Sequence, residues 1–188
     1  MFKNKKVIGI IVGILIAAFV IFCIVQTNIT FALEDEKPMH IGEEVVREKY
    51  SITVKDYEIV SNSDMQKLYP GSKEILTSQN EDNGVEMGEA ILVHCVMNFK
   101  DKSKGFPYGD FNLDSGSFRQ GISAELFALI NKEFKFSQAE LNKDYDIIFP
   151  FDIYTNQFRS GRLNEVQAMK IRLVCCLNPL IYVQLDKE

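Results

Sequence analysis

The sequence predicts an all-β domain, a two-sheet antiparallel sandwich with minor helical insertions, preceded by one N-terminal transmembrane helix. Three observations predict it. Val7 to Val25 is a run of 19 residues without a charged or strongly polar side chain. Beyond it, apolar residues recur at a period of two in short segments separated by turn residues, the rhythm of half-buried strands. No internal repeat and no strand–helix–strand alternation is present that would point to a parallel sheet.

As a helix rising about 1.5 Å per residue, the apolar run spans roughly 28 Å, close to the hydrocarbon thickness of a bilayer. Lys3, Lys5 and Lys6 precede it, and Glu34, Asp35 and Glu36 follow. The positive-inside rule then puts the N-terminus in the cytoplasm and the rest of the chain outside the cell membrane. The expected organisation is a cytoplasmic tail over 1–6, a signal-anchor helix over 7–25, a linker containing Pro38 over 26–40, and an extracytoplasmic domain over 41–188. Thr30-Phe31-Ala32 offers a small-residue cleavage site, so a cleaved and secreted form is the alternative; the length of the run exceeds a usual signal and favours the anchor. Cys23 lies inside the run behind the bulky Phe22, unlike a lipid-attachment cysteine. Gly9, Gly13 and Ala17 share one helical face, the spacing of a weak homodimer contact through the span, although small residues are common in spans.

Charge restricts the partners. Removing the three lysines before Glu34 leaves 21 − 3 = 18 basic residues against 26 acidic ones, a net charge of −8. Such a domain repels phosphate backbones, so nucleic acid is excluded as a partner and a protein or small ligand is expected.

The elements follow in order. Tyr50, Ile52 and Val54 alternate with polar residues, and Tyr57 and Ile59 continue on the opposite parity, which predicts a bulge near Asp56. Ser63 is placed to cap a short helix through Leu68, ended by Pro70-Gly71. The polar stretch from Ser61 to Gly88 otherwise reads as a long loop and is the expected contact surface, with Leu68, Tyr69 and Ile75 as apolar anchors. Ile91, Val93, Cys95, Met97 and Phe99 form the clearest strand. Phe111 and Leu113 mark a shorter one, and Ser123 opens a helix through Asn131. Phe134 and Phe136 read as the start of a further strand. Tyr145 to Ile153 alternate around Pro150, whose missing N–H places that strand at an edge or bulge. Met169 to Cys175 and Ile181 to Leu185 complete the set.

The layout resembles the small extracytoplasmic immunoglobulin-like (telokin-like) domains of Gram-positive membrane proteins, a largely uncharacterised group. The residues that carry the resemblance are Ile41-Gly42-Glu43, Ser51 to Val60, Gly88 to Phe99, Phe106-Pro107 before Phe111-Asn112-Leu113, and Phe149-Pro150-Phe151. It implies an immunoglobulin-like fold and a place at the cell envelope, with no catalytic residues. Cys95 and Cys175 lie on the apolar faces of the strands that an antibody-type sandwich joins by its inter-sheet disulfide, with Phe111 in place of the missing tryptophan. Two buried thiols acting as small hydrophobes are the alternative.

No spacing specifies a reaction. Asp110, Asn112 and Asp114 have the alternation of a calcium loop, but Ser115 and Gly121 stand where that loop needs glycine and glutamate. They read as the wet face of a strand. His40 and His94 have no metal-ligand spacing, and no cofactor is implied. No nucleophile elbow or phosphate-binding loop is present. The expectation is a non-catalytic binding module, with an extracytoplasmic hydrolase of envelope carbohydrate or peptide, working through His94 or an acid pair, as the alternative.

Overall fold

A computed structural model of the chain describes residues 14–24, 37–75, 87–115, 118–154, 169–177 and 179–185. Met1–Glu34 and Asp35–Glu188 form separate compact units. In the first, residues 14–24 form a helix, α1, with exposed apolar side chains such as Ile16 and Phe19. Among the described residues no helix is long and apolar enough to cross a membrane. Residues 7–13 and 25 of the expected span lie outside them, as do Gly9 and Gly13, and Ala17 is exposed on α1.

The second unit is a two-sheet β-sandwich with few helices. Its described strands are β1 (Lys37–Met39), β2 (Glu44–Val46), β3 (Tyr50–Ser61), β4 (Met87–Phe99), β5 (Asn112–Asp114), β6 (Arg119–Gly121), β7 (Asp144–Tyr154), β8 (Ile171–Leu177) and β9 (Leu180–Leu185). Helices α2 (Asn62–Leu68), α3 (72–75) and α4 (Ala124–Ile130) lie between them in sequence. One sheet runs β1-β9-β8-β5-β6 and the other β2-β3-β4-β7. Every pairing is antiparallel except β1 with β9.

The period-two residues of β4 face the core, from Ile91 through Phe99, and meet Leu113, Leu173, Cys175, Val183 and Leu185 from the opposite sheet. Phe111, Phe149 and Phe151 fill the space between and are fully buried. Each such side chain contributes about 1.5–3 kcal/mol relative to exposure. The parity change in β3 is a register shift between Val54 and Asp56. It keeps Tyr57 and Ile59 on the core side and turns Val60 outward.

That outward face carries a second cluster. Val60, Ala90 and Leu92 pack with Met65 of α2 and Leu126 of α4. The helix cap is Ser61, not Ser63: β3 runs on to Ser61, whose Oγ accepts from the Asp64 N–H at 3.2 Å. The α2–α3 turn meets α4 closely, since a Cβ on Gly71 would stand 3.0 Å from Leu129 Cδ1.

Three further expectations are corrected. The linker assigned to 26–40 ends earlier, because Lys37–Met39 pairs with β9, and Pro38 is tolerated on an edge strand that leaves an unused N–H position. Phe134 and Phe136 start no strand: Phe134 follows a turn and Phe136–Gln138 is a 3-10 turn, because both rings fold over Phe99. The stretch after Ser61 forms the expected short helix through Leu68, beginning at Asn62, but it is helical again over 72–75 where a loop is expected, and 76–86 lies outside the described residues. Strand β6, too short for a readable period, was not anticipated.

The interior holds three groups that resist ionisation. Tyr50 donates from its hydroxyl to Asp110 Oδ2 at 3.1 Å, and the Cys175 carbonyl lies 3.4 Å away. Burial first, and the Asp110 carboxylate second, hold this phenol far above its ordinary range. Burial pushes the Cys175 thiol up to about 12 and the Cys95 thiol well above its ordinary value of 9.0. All three release protons more readily in the unfolded chain. Their stabilising contribution is therefore complete below the unfolded thiol value and is lost as pH rises through the folded values. The loss reaches about 1.4 kcal/mol per pH unit for each group inside its window. Denaturant midpoints should hold through neutral pH and fall above about pH 9, earlier in the wild type than in a Cys95→Val, Cys175→Val double variant. Parallel midpoints for the two proteins would show that the thiols take no part.

Candidate functional site

Helices α2 and α4 cover only part of the outer face of the β2-β3-β4-β7 sheet. Beyond them lies a recess of about 460 Å³ whose walls include Lys55, Asp56, His94, Asn131, Phe134 and Asp146. The β3 bulge brings Asp56 opposite His94, where an unbroken register from the Val54–Cys95 pair would place Lys55. His94 Nδ1 stands 3.7 Å from Asp56 Oδ1 and Nε2 stands 3.4 Å from Glu58 Oε1. A neutral imidazole donates from one nitrogen only, so one carboxylate then faces a ring lone pair; a protonated ring serves both. Among the described residues no hydroxyl or thiol hydrogen-bonds to His94. The neighbouring Cys95 points into the core and is buried.

Asn131, the C-cap of α4, organises the second part of the site. Its Oδ1 accepts from the Ile148 N–H at 2.9 Å, and its Nδ2 donates to the Ile148 carbonyl at 2.8 Å and the Phe127 carbonyl at 3.0 Å. One side-chain amide thus occupies the position of a neighbouring strand on the free side of β7. The Ser123 N–H donates to the Pro150 carbonyl at 2.9 Å, and Pro150 has no N–H to satisfy. Edge strands left open in this way invite pairing with other chains, and here the central part of the edge is closed.

From Asn131 the chain wraps around β7. Ile130 packs on the outer cluster, whereas Phe134 and Phe136 pack on the main core. Phe134 stacks on Phe99 with centroids 6.0 Å apart and meets Tyr145 at 5.5 Å. A second recess, of about 540 Å³, opens on this side, bounded by Glu133, Phe134, Glu140, Asp144, Tyr145 and Asp146. The two recesses share Glu133, Phe134 and Asp146 as a common wall. Lys143 in the second is paired with Glu140 at 2.7 Å.

The residues expected from sequence are placed elsewhere. Leu68 is exposed, while Tyr69 and Ile75 are half-buried against the outer cluster and serve packing. Asp110 accepts from Tyr50, and Asp114 accepts from Arg172 Nη2 at 3.1 Å, so these acids support the fold. Among the described residues no group of three or more His, Cys, Asp or Glu is arranged to hold a metal ion. Cys95 and Cys175 are buried in one core, on the central strands of opposite sheets, and stand as free thiols. Asn131, Phe134 and Asp146 carried no sequence signal, since what distinguishes each is a neighbour distant along the chain.

The family described as "Domain of unknown function (DUF5028)" matches residues 30–180. No curated protein matches the chain. Among solved structures, an uncharacterized beta-sandwich protein from Clostridium difficile 630 is similar at 9% identity and a TM-score of 0.44, over 81% of this chain and 96% of that one.

Proposed function

The chain belongs to the DUF5028 family, and on that premise we propose that it is a membrane-anchored, extracytoplasmic interaction module that binds a protein or small ligand without catalysis. The observation that carries the binding reading is the pair of adjoining recesses that share Glu133, Phe134 and Asp146. An aromatic wall between exposed carboxylates has the composition of a contact site, with an apolar anchor inside a polar rim. Both ring nitrogens of His94 face carboxylates, which leaves neither turned to a nucleophile. The tether rests on the Lys-led apolar run of 19 residues, and the placement outside the cell on the charge asymmetry across it. The resemblance to telokin-like envelope domains points the same way.

Protease added to intact cells should digest the domain and leave a small membrane-bound fragment. A photocrosslinking residue at Glu133 should capture a partner, whereas one at the exposed Leu177, on β8 of the other sheet, should not. Turnover of an envelope glycan or peptide by the purified chain, lost in Asp56→Asn or Asp146→Asn, would overturn the binding reading in favour of a hydrolase.

A further inference from the structure

The edge of β7 is closed at Ile148 and Pro150 but open below them. Because the backbone groups of Ile148 and the carbonyl of Pro150 bond away from β4, the even-numbered residues of β7 direct their polar groups to the free side. The alternation of a strand gives Asp144 and Asp146 the same direction. Among the described residues no hydrogen bond is made to either backbone on that side, and both residues are exposed. The recess of about 540 Å³ adjoins this open stretch.

We propose that the groove takes an extended peptide segment of a partner protein, which adds as a strand beside Asp144–Asp146 and alternates basic with apolar residues. The inference rests on the reading of these recesses as the contact site and names their occupant. Its main-chain groups would pair with those of Asp144 and Asp146, the mode in which peptides extend exposed sheet edges. Its side chains divide by face. Residues opposite Asp144 and Asp146 lie on the outer sheet face with these carboxylates, and Asp56 and Glu58 stand on the same face. Opposite charges directly across a strand pair are favourable and like charges are not, so these positions call for Lys or Arg. The intervening residues turn toward Tyr145 and Phe134, whose rings offer an apolar floor. Lys143 does not compete for the peptide's acidic partners, being already paired with Glu140. Asn131 ends the open stretch, because its amide already occupies the next position at Ile148.

The test uses the full chain in detergent micelles and a capped hexapeptide of alternating Lys and Val, followed by NMR at the Asp144 and Asp146 amides and the Phe134 ring. Both amides should shift and exchange more slowly, and the ring should shift. A peptide N-methylated at alternate residues should bind about tenfold more weakly or worse, since it keeps the side chains but loses the main-chain bonds. A Glu–Val hexapeptide should be weakened to a similar extent. A shifted Phe134 ring with unaltered amides would overturn strand addition and leave the groove as the contact site. Equal binding of the Glu–Val peptide would overturn the basic specification. No change at amides or ring up to millimolar peptide would overturn both this inference and the proposed contact site.

Discussion

Oxidised glutathione, supplied during refolding, is expected to join Cys95 to Cys175 and to raise the unfolding free energy by about 4–5 kcal/mol. The bond closes a loop of about 80 residues, and the gain arises mainly from the entropy removed from the unfolded chain. In the exchange both thiols lose their protons, the new S–S bond forms, and one glutathione disulfide is reduced to two thiols. The geometry favours this pair over either cysteine with Cys176. Cys95 sits on β4 and Cys175 on β8, each an inner strand of its sheet, and both belong to one buried core. Cys176 is half-buried, on the opposite parity of β8. The same burial that holds both thiols protonated makes them slow to react once folded, so oxidation should need refolding or prolonged incubation. Intact mass under non-reducing conditions should fall by two hydrogens, and the oxidised-minus-reduced stability difference should vanish in Cys95→Val. An unchanged mass after refolding in the disulfide, or a product less stable than the dithiol, would leave the pair as two small hydrophobes.

Replacing Asn131 by leucine should cost about 2–4 kcal/mol and increase self-association. The side chain makes three hydrogen bonds to backbone groups, two of them to Ile148. Leucine fills similar space but leaves the Ile148 N–H and carbonyl without a protein partner, and each orphaned group costs about 1–3 kcal/mol where water cannot fully replace it. The second effect is one of shape. With Asn131 gone, the open stretch of the β7 edge lengthens from Asp144–Asp146 to include Ile148, and longer open edges pair with other chains. Denaturant titration reads the first effect, and sedimentation across a concentration series reads the second. A variant as stable as the wild type and no more prone to associate would show that the amide does not guard the edge. The contrast with the pocket carboxylates is instructive: Asp56 is mostly exposed and its contact with His94 is long, so Asp56→Asn should leave stability nearly unchanged.

The sequence by itself determined the strands that carry the core. The alternation in β4, β7, β8 and β9, the parity change that marks the β3 bulge, and the edge character of the strand with Pro150 are all local patterns. A side chain's face depends on its immediate neighbours, so a period of two is readable without knowing which strand lies alongside. The same local logic put Cys95 and Cys175 on inner faces. Only the tertiary structure decided what those faces meet. It placed the two cysteines on opposite sheets, turned Lys37–Met39 from an expected linker into a strand of β9's sheet, and folded Phe134 and Phe136 over Phe99 instead of into a ladder. It also moved the candidate site. Tyr69 and Ile75, apolar residues amid polar ones, look like interface anchors in sequence, but the helices they follow or occupy turn them onto the outer cluster. Asn131 meets Ile148 across 17 residues and Asp56 meets His94 across the bulge, contacts that depend on chain crossing and register. Long-range pairing leaves no period in the chain. It is set by which surfaces bury most completely against one another, and that is decided only when both sheets are in place.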